Sequence, residues 1–599
     1  MDTNRTAERG RDLDNTFSVP VMRTIWKRIV RNQLRGQTAA DLHDYLEVHR
    51  ALTPFLQRLR ASVISGYYRP SPAQIIRLEK RDGIPRRIPL PSAADALLLQ
   101  TLVHAIEKEV LSKQPHANAF YSRSSLRPSI EDVDESFSYE WWLLWPEFQA
   151  RIWEFTEDHS FVVVTDLANY YDSIPLHSLR NTLASLGHFS ETLLDFLFFM
   201  LEAFTWRPHY IPLTGVGLPQ LNLDAPRLLA HVYLFPIDRE LTAATGGEFV
   251  RWMDDIDFGV DSVHEGRVVL GKLEYAANSM GLRLNAGKSR IMSGKSAVQH
   301  FWIRENRQIT VLTNLLNFRV GKAITTERVR RLVRKELLKF FRKERLGNWE
   351  KVVKRYYTFL GKLNDPFLVS HTPDFLRNNP ALRDSTFRYY EKLGFNRRRF
   401  EQVITFLEDT QYNDDAALLS AVHLLTSWRV PRTGASRTRL VAYAHTLAAK
   451  SERTVIEVLA ALWLLTKYGT SSEVGSFVRK TKSVWSKSEW AARQIAAASP
   501  RLNVEDRAWT ETECAINGLL DALHIFNHLE FLAKLPRLDQ QLRPYLLLVP
   551  NEGYAYPLSK VLIAVNLLSG ALDETEKTLV SDFITKESRD LVYRELVNR

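Results

Sequence analysis

Cysteine is almost missing from these 599 residues: Cys514 is the only one. A lone thiol excludes intrachain disulfides and zinc sites built on paired cysteines, and it fits a reducing cytosol. Long apolar runs are missing too. The most apolar stretch, "LLDFLFFMLEAFTW", is interrupted by Asp195 and Glu202 and is too short to span a bilayer. It reads as a buried helix, and no membrane partner is expected. The first residues, "MDTNRTAERGRDLDNTF", lack the apolar segment of a secretory signal. No low-complexity tract and no clean internal period occurs. What remains is ordinary globular composition, 45% hydrophobic and 25% charged. The length suits more than one domain, and the expected location is cytoplasmic.

The net charge of +11 is unevenly spread. Lys322 to Arg355 carries 13 Lys and Arg against 4 Glu, whereas residues 401–599 are close to neutral. At 100° per residue, Arg328, Arg331, Lys335, Lys339 and Arg342 share one helical face. Val329, Val333, Leu337 and Phe340 lie roughly opposite. Such a helix is either a solvated surface element or one that packs by its apolar face and tracks a phosphate backbone with the other.

Residues 1–65 read as a helical extension. "RPSPAQIIRLEKRDGIPRRIPLP" reads as two short strands joined at a basic turn, and "ADALLLQTLVHAIEKEVL" as a helix. "SFVVVTDLANYYDSI" and "FVRWMDDIDFGV" are apolar strands that meet carboxylates. Helices are expected over 178–205, 223–242 and 266–280, and a hairpin around "HFWIRENRQITVL". This mixture predicts an α+β domain over 66–320. A basic helical connection follows over 321–400, and then an all-α, HEAT-like region over 401–599.

Three acids, Asp166, Asp254 and Asp255, stand at strand ends or turns. Burying carboxylates costs several kcal/mol, on the order of 2–7 for polar groups and more for charges, unless something compensates. With basic segments on either side, they suit a magnesium site for phosphoryl transfer. Mg²⁺ takes hard oxygen ligands and shares them with substrate phosphates, and two ions held about 4 Å apart stabilise both attacking and leaving oxygens.

The order and spacing of these segments resemble reverse transcriptases. "VVVTDLANYYDSI" resembles motif A with Asp166 as metal ligand, and "WMDD" resembles motif C with Asp254 and Asp255. Gly217-Leu218-Pro219-Gln220 resembles motif B, and "GLRLNAGKS" is similar to motif D with Lys288 in the lysine position. "KRDGIPRRIPLPSAAD" resembles the fingers pattern, including Asp95, and "NAFYSRS" the arginine-bearing segment after it. "HFWI" stands where a primer-grip hairpin belongs. The resemblance covers about residues 70–310, roughly 40% of the chain.

It implies fingers and palm of a right-hand polymerase. It also implies two Mg²⁺, with Mn²⁺ able to substitute, dNTP substrates and a DNA product. Lys80 and Arg86, with Arg87 beside them, would face the triphosphate, and Tyr171 would exclude a 2′-hydroxyl. Gln220 would touch the templating pair, and Lys288 would protonate or neutralise the leaving pyrophosphate.

Departures from the pattern point within the family. Leu221 replaces a glycine and Ala225 a serine of motif B, and Trp252-Met253 replaces the usual Tyr and Ala. With the helical C-terminal region, these resemble the bacterial abortive-infection and defence-associated branch. That branch implies a homo-oligomer and DNA synthesis that can be untemplated and primed from a tyrosine, for which Tyr45 is a candidate. The alternatives are an RNA-templated mobile-element enzyme of the group II intron or retron type, a catalytically dead palm that binds nucleic acid, and a cyclase or RNA polymerase on a similar palm.

Overall fold

A computed structural model describes residues 10–81, 83–122, 141–207, 210–212, 214–318, 323–409, 414–431, 433–548 and 556–598. The arginine of "NAFYSRS", Arg123, lies outside them.

Two antiparallel strands, β1 (Gln74–Arg81) and β2 (Ile84–Leu90), pair from Gln74–Leu90 to Arg81–Ile84, with a register shift between Glu79 and Arg81. The extra residue is Lys80. A five-stranded sheet follows: β3 (Ala119–Phe120), β4 (Phe161–Asp166), β5 (Phe249–Trp252), β6 (Asp255–Val260) and β7 (Arg290–Ser293). Its order is β3-β5-β6-β4-β7, parallel only at β3–β5.

Strand alternation decides what each face buries. Val163, Ile256, Phe258 and Val260 enter a core with helices Leu176–Leu186, Asp224–Tyr233, Phe235–Thr245 and Val263–Ser279. Val162, Val164, Val250 and Trp252 face the other way, onto Phe148, Ile152 and Phe155 of helix Trp141–Asp158 and onto Ala297 and Phe301. Residues of both strand faces are therefore buried, which is why these strands read as nearly continuous apolar runs.

The expected hairpin at 300–312 is not there. Helix Gly294–His300 gives way, through Trp302 in the left-handed region (φ 54°), to helix Ile303–Phe318. Trp302, Ile309 and Leu312 are buried. The apolar residues at 309, 312 and 316 keep helical spacing, and the short aromatic run that suggests a strand is the junction between two helices.

From Ile303 onward the described residues are helical. Helix Ala323–Phe341 buries Val329, Val333, Leu337 and Phe340 and exposes Arg328, Arg331, Lys335, Lys339 and the following Arg342, as its pattern predicts. One hydrophobic core runs from Trp302 to Val597 without a break near 400. It also takes in Ala39, Leu42, Leu46, Ile76 and Leu90. No described helix is long and apolar enough to cross a membrane.

Buried ion pairs fasten this helical body to the rest of the chain. Arg383 bridges Glu79 (2.7 Å) and Asp414 (2.6 Å), and Arg77 grips Asp415 with backbone and side chain. Arg493 pairs with Asp41 and Glu47, both at 2.6 Å. His43 Nε2 lies 2.8 Å from His528 Nδ1.

Candidate active site

The β4–β6 register makes Asp166 and Asp255 cross-strand partners, and Trp252–Asp255 closes the β5–β6 hairpin. Asp254 therefore sits in a two-residue turn with Met253. Met253 has φ 56°, a conformation that costs an L-residue roughly 1–2 kcal/mol. Two contacts hold it there. Its N–H donates to the Phe120 carbonyl at 3.0 Å, and its own carbonyl accepts from Arg251 Nη1 at 3.0 Å. Arg251 in turn forms a fully buried, two-pronged ion pair with Asp238 at 2.6 and 2.5 Å.

The turn that carries Lys288 is sewn to the end of β4. Asn285 N–H donates to the Asp166 carbonyl at 2.8 Å, Ala168 N–H to the Arg283 carbonyl at 2.8 Å, and Thr165 and Ser289 hydroxyls meet at 2.6 Å. The result is an ion pair between Lys288 and Asp166 Oδ2. Asp166 is buried, and its Oδ1 accepts no hydrogen bond among the described residues. Burial raises the Asp166 carboxyl above its ordinary range despite Lys288. Burial, followed by repulsion from Asp255, pushes Asp254 up to about 6. Carboxylates crowded and half-desolvated in this way favour a cation, and the orphan oxygen of Asp166 fits a metal ligand. Among the described residues no three His, Cys, Asp or Glu side chains converge to hold an ion unaided. An ion here would need further oxygens, as a bound triphosphate provides.

The Gly217–Gln220 segment lies against the turn that follows β4. Leu218 N–H donates to the Tyr171 carbonyl at 2.7 Å and Gly217 N–H to the Ile174 carbonyl at 2.8 Å, which sets half-buried Gln220 beside that turn. Tyr171 feels Arg227, Asp254 and Arg86, and burial raises its phenol. Lys80 is lowered by burial and Arg86, and it feels Asp172, Asp254 and Lys288 as well. Asp166, Asp254, Asp255, Lys288, Lys80, Arg86 and Tyr171 thus share one electrostatic neighbourhood. Arg86 Nε is buried without a partner among the described residues. Arg87 points elsewhere, its guanidinium 3.8 Å from the Trp206 ring centroid.

Several expected residues stand apart from this cluster. Tyr45 is buried under Arg493, 4.8 Å from its guanidinium, and the structure does not bring it to the carboxylates. Asp95 accepts from Tyr68, Ser92 and the Ser71 N–H, tying a loop to a helix start. Leu221 and Ala225 are core residues, and Ala225 N–H is held by Gln100 at 3.0 Å. Trp252 turns away from Asp254 into a ring cluster with Phe120, Trp145 and Phe148. Arg328, Arg331, Lys335, Lys339 and Arg342 are exposed, with Arg331 paired to Glu327 and Lys339 to Glu336.

Three residues were missed by pattern reading. Lys351 stands 3.6 Å from Asp255 Oδ2. Asp257, two residues beyond Asp255, is buried, and burial and Asp255 hold its carboxyl well above the usual range. Arg251 was visible as a charge inside an apolar strand, the same anomaly as the aspartates.

Fold and site together define an α+β protein whose small sheet carries an acidic cluster ringed by cations. No protein-family model matches the chain, and no curated protein matches it.

Proposed function

We propose that this chain is a reverse-transcriptase-like DNA polymerase, with β3–β7 as palm and β1–β2 as fingers. The observation that carries the reading is the register that pairs Asp166 with Asp255 and sets Asp254 at the adjoining turn. Lys288 lies on Asp166, and Lys80 lies in the field of Asp254. Asp166, Asp254 and Asp255 would hold Mg²⁺. Magnesium bound there supplies activation of the attacking hydroxyl and charge stabilisation on the phosphoryl oxygens.

A 3′- or tyrosine hydroxyl attacks the α-phosphorus of a deoxynucleotide. The new P–O bond forms, the α–β bridge breaks, and the hydroxyl proton passes to water. Lys80 and Arg86 receive the triphosphate as charged donors. Lys288 meets the departing pyrophosphate. The Tyr171 ring bars a ribose 2′-hydroxyl. Leu221 and Ala225 serve packing, which favours synthesis independent of the usual template contacts. The biological setting proposed with this activity is anti-phage defence by abortive infection.

The test is incorporation of labelled dNTPs by the purified chain with Mg²⁺ or Mn²⁺, with and without added RNA template. Asp166→Asn and Asp254→Asn should each lower the rate on the order of 10²–10³-fold or more. Protease and nuclease treatment of the product distinguishes covalent from free primers. Wild-type protein without incorporation under any of these conditions would end the polymerase reading.

A further inference from the structure

The cations around the acidic cluster come from different parts of the chain. Lys80, with Arg86 beside it, feels Asp254, and Lys288 pairs with Asp166 and feels Asp255 and Asp254 as well. Lys351 belongs with Asp255 and also acts on buried Asp257.

Lys351 is positioned from two directions. It is carried by helix Trp349–Lys362, which is anchored through Trp349, Val352, Val353 and Tyr356. Its Nζ lies 5.5 Å from the Trp145 ring centroid, and Trp145 stands edge-on to Trp252 at 5.2 Å. Lys354 follows three residues on along the same helix, and burial, Lys351 and Arg388 lower it despite Glu350. Two lysines on one helix beside a short acidic edge suit a polyanion.

In-line phosphoryl transfer puts the attacking and leaving oxygens on opposite sides of the reacting phosphorus. With Lys80, Arg86 and Lys288 given to the triphosphate, Lys351 beside Asp255 is the cation of the described cluster left for the strand that attacks. The hairpin expected to hold that strand is replaced by helices at Gly294–His300 and Ile303–Phe318. We propose that Lys351 binds the backbone phosphate nearest the 3′ end of the single strand being extended, with Lys354, three residues on along the same helix, continuing the contact along it. This inference rests on the polymerase reading.

The test is binding of a single-stranded DNA oligonucleotide to the full chain across a salt series, without nucleotide. Lys351→Met keeps an unbranched stem against Trp145 and removes the charge. Its affinity should fall about fivefold to tenfold and the log–log salt slope by about 0.7, one phosphate contact on a single strand. Lys351→Arg should restore most of both. In extension assays the KM for oligonucleotide should rise while the KM for dNTP stays level. Unchanged affinity and slope, a dNTP KM that rises in step, or a wild type that binds no oligonucleotide would each overturn the inference. Lys351-dependent binding by a wild type that incorporates no nucleotide would support the strand contact and overturn the polymerase reading alone.

Discussion

Arg251 shows how one residue holds the candidate site. Its guanidinium closes on Asp238 and on the Met253 carbonyl, so the strained turn that presents Asp254 hangs from a fully buried ion pair. Removing one partner of such a pair leaves an uncompensated charge and costs about 3–5 kcal/mol. Arg251→Met should therefore lower the unfolding free energy by about that much in denaturant titration. Arg251→Met with Asp238→Leu should recover most of it. Tyr171 makes a second prediction, about selectivity. Its half-buried ring shares a neighbourhood with Asp254 and Arg86. Tyr171→Ala should admit ribonucleotides and narrow the dNTP-to-rNTP ratio about tenfold or more in single-nucleotide incorporation, a loss of roughly 1.4 kcal/mol of discrimination.

Among the elements, the 41–50 segment is the clasp between the N-terminal part and the helical body. Asp41, His43 and Glu47 all reach residues more than 440 positions away. His43 is lowered from its ordinary value by burial and by Arg493, against the opposing pull of Glu47, Asp41 and Asp44. His528 is lowered to about 2 by burial, His43, Arg50 and Arg493, with Asp539 opposing. A base with a depressed folded pKa takes up its proton in the unfolded chain first. The clasp is thus fully stabilising above about pH 6.5 and weakens as pH falls toward the folded values. The slope is up to about 1.4 kcal/mol per pH unit for each proton. His528→Phe should make the unfolding midpoint fall less, or rise more, between pH 7.5 and 5.5 than the wild type's does. A His528→Phe midpoint with the wild-type pH dependence would contradict the depressed pair. In the β1–β2 hairpin, Lys80 lies in the field of Asp254 with Arg86 beside it, while Arg77 and Glu79 bolt the strand to Asp415 and Arg383.

For the whole molecule, the helical body is part of the site's scaffold. Its core takes in Ile76 and Leu90 of the hairpin and Leu42 and Leu46 of the clasp, and its Lys351 reaches Asp255. A chain ended at residue 320 should fail to fold as a soluble monomer, as read by circular dichroism and gel filtration. Arg383→Ala in the full chain should cost about 3–5 kcal/mol, because Glu79 and Asp414 would be left buried and unpaired.

The sequence by itself determined the strands at 161–166 and 249–260, the acids at their ends, the apolar and basic faces of helix 323–341, and the helical character after 400. These follow from periods of two and 3.6 and from charges misplaced in apolar runs, which are local properties. The same reading mistook 300–312 for a hairpin, because the four-residue run His300–Ile303 carries no period long enough to separate strand from helix. Only the tertiary structure decided that Trp252 leaves the acidic turn, that Arg251 closes on Asp238, and that Lys351 and the helical body reach the acids. A buried charge announces that it needs a partner. Which distant residue supplies it depends on how the chain packs, and no local pattern contains that.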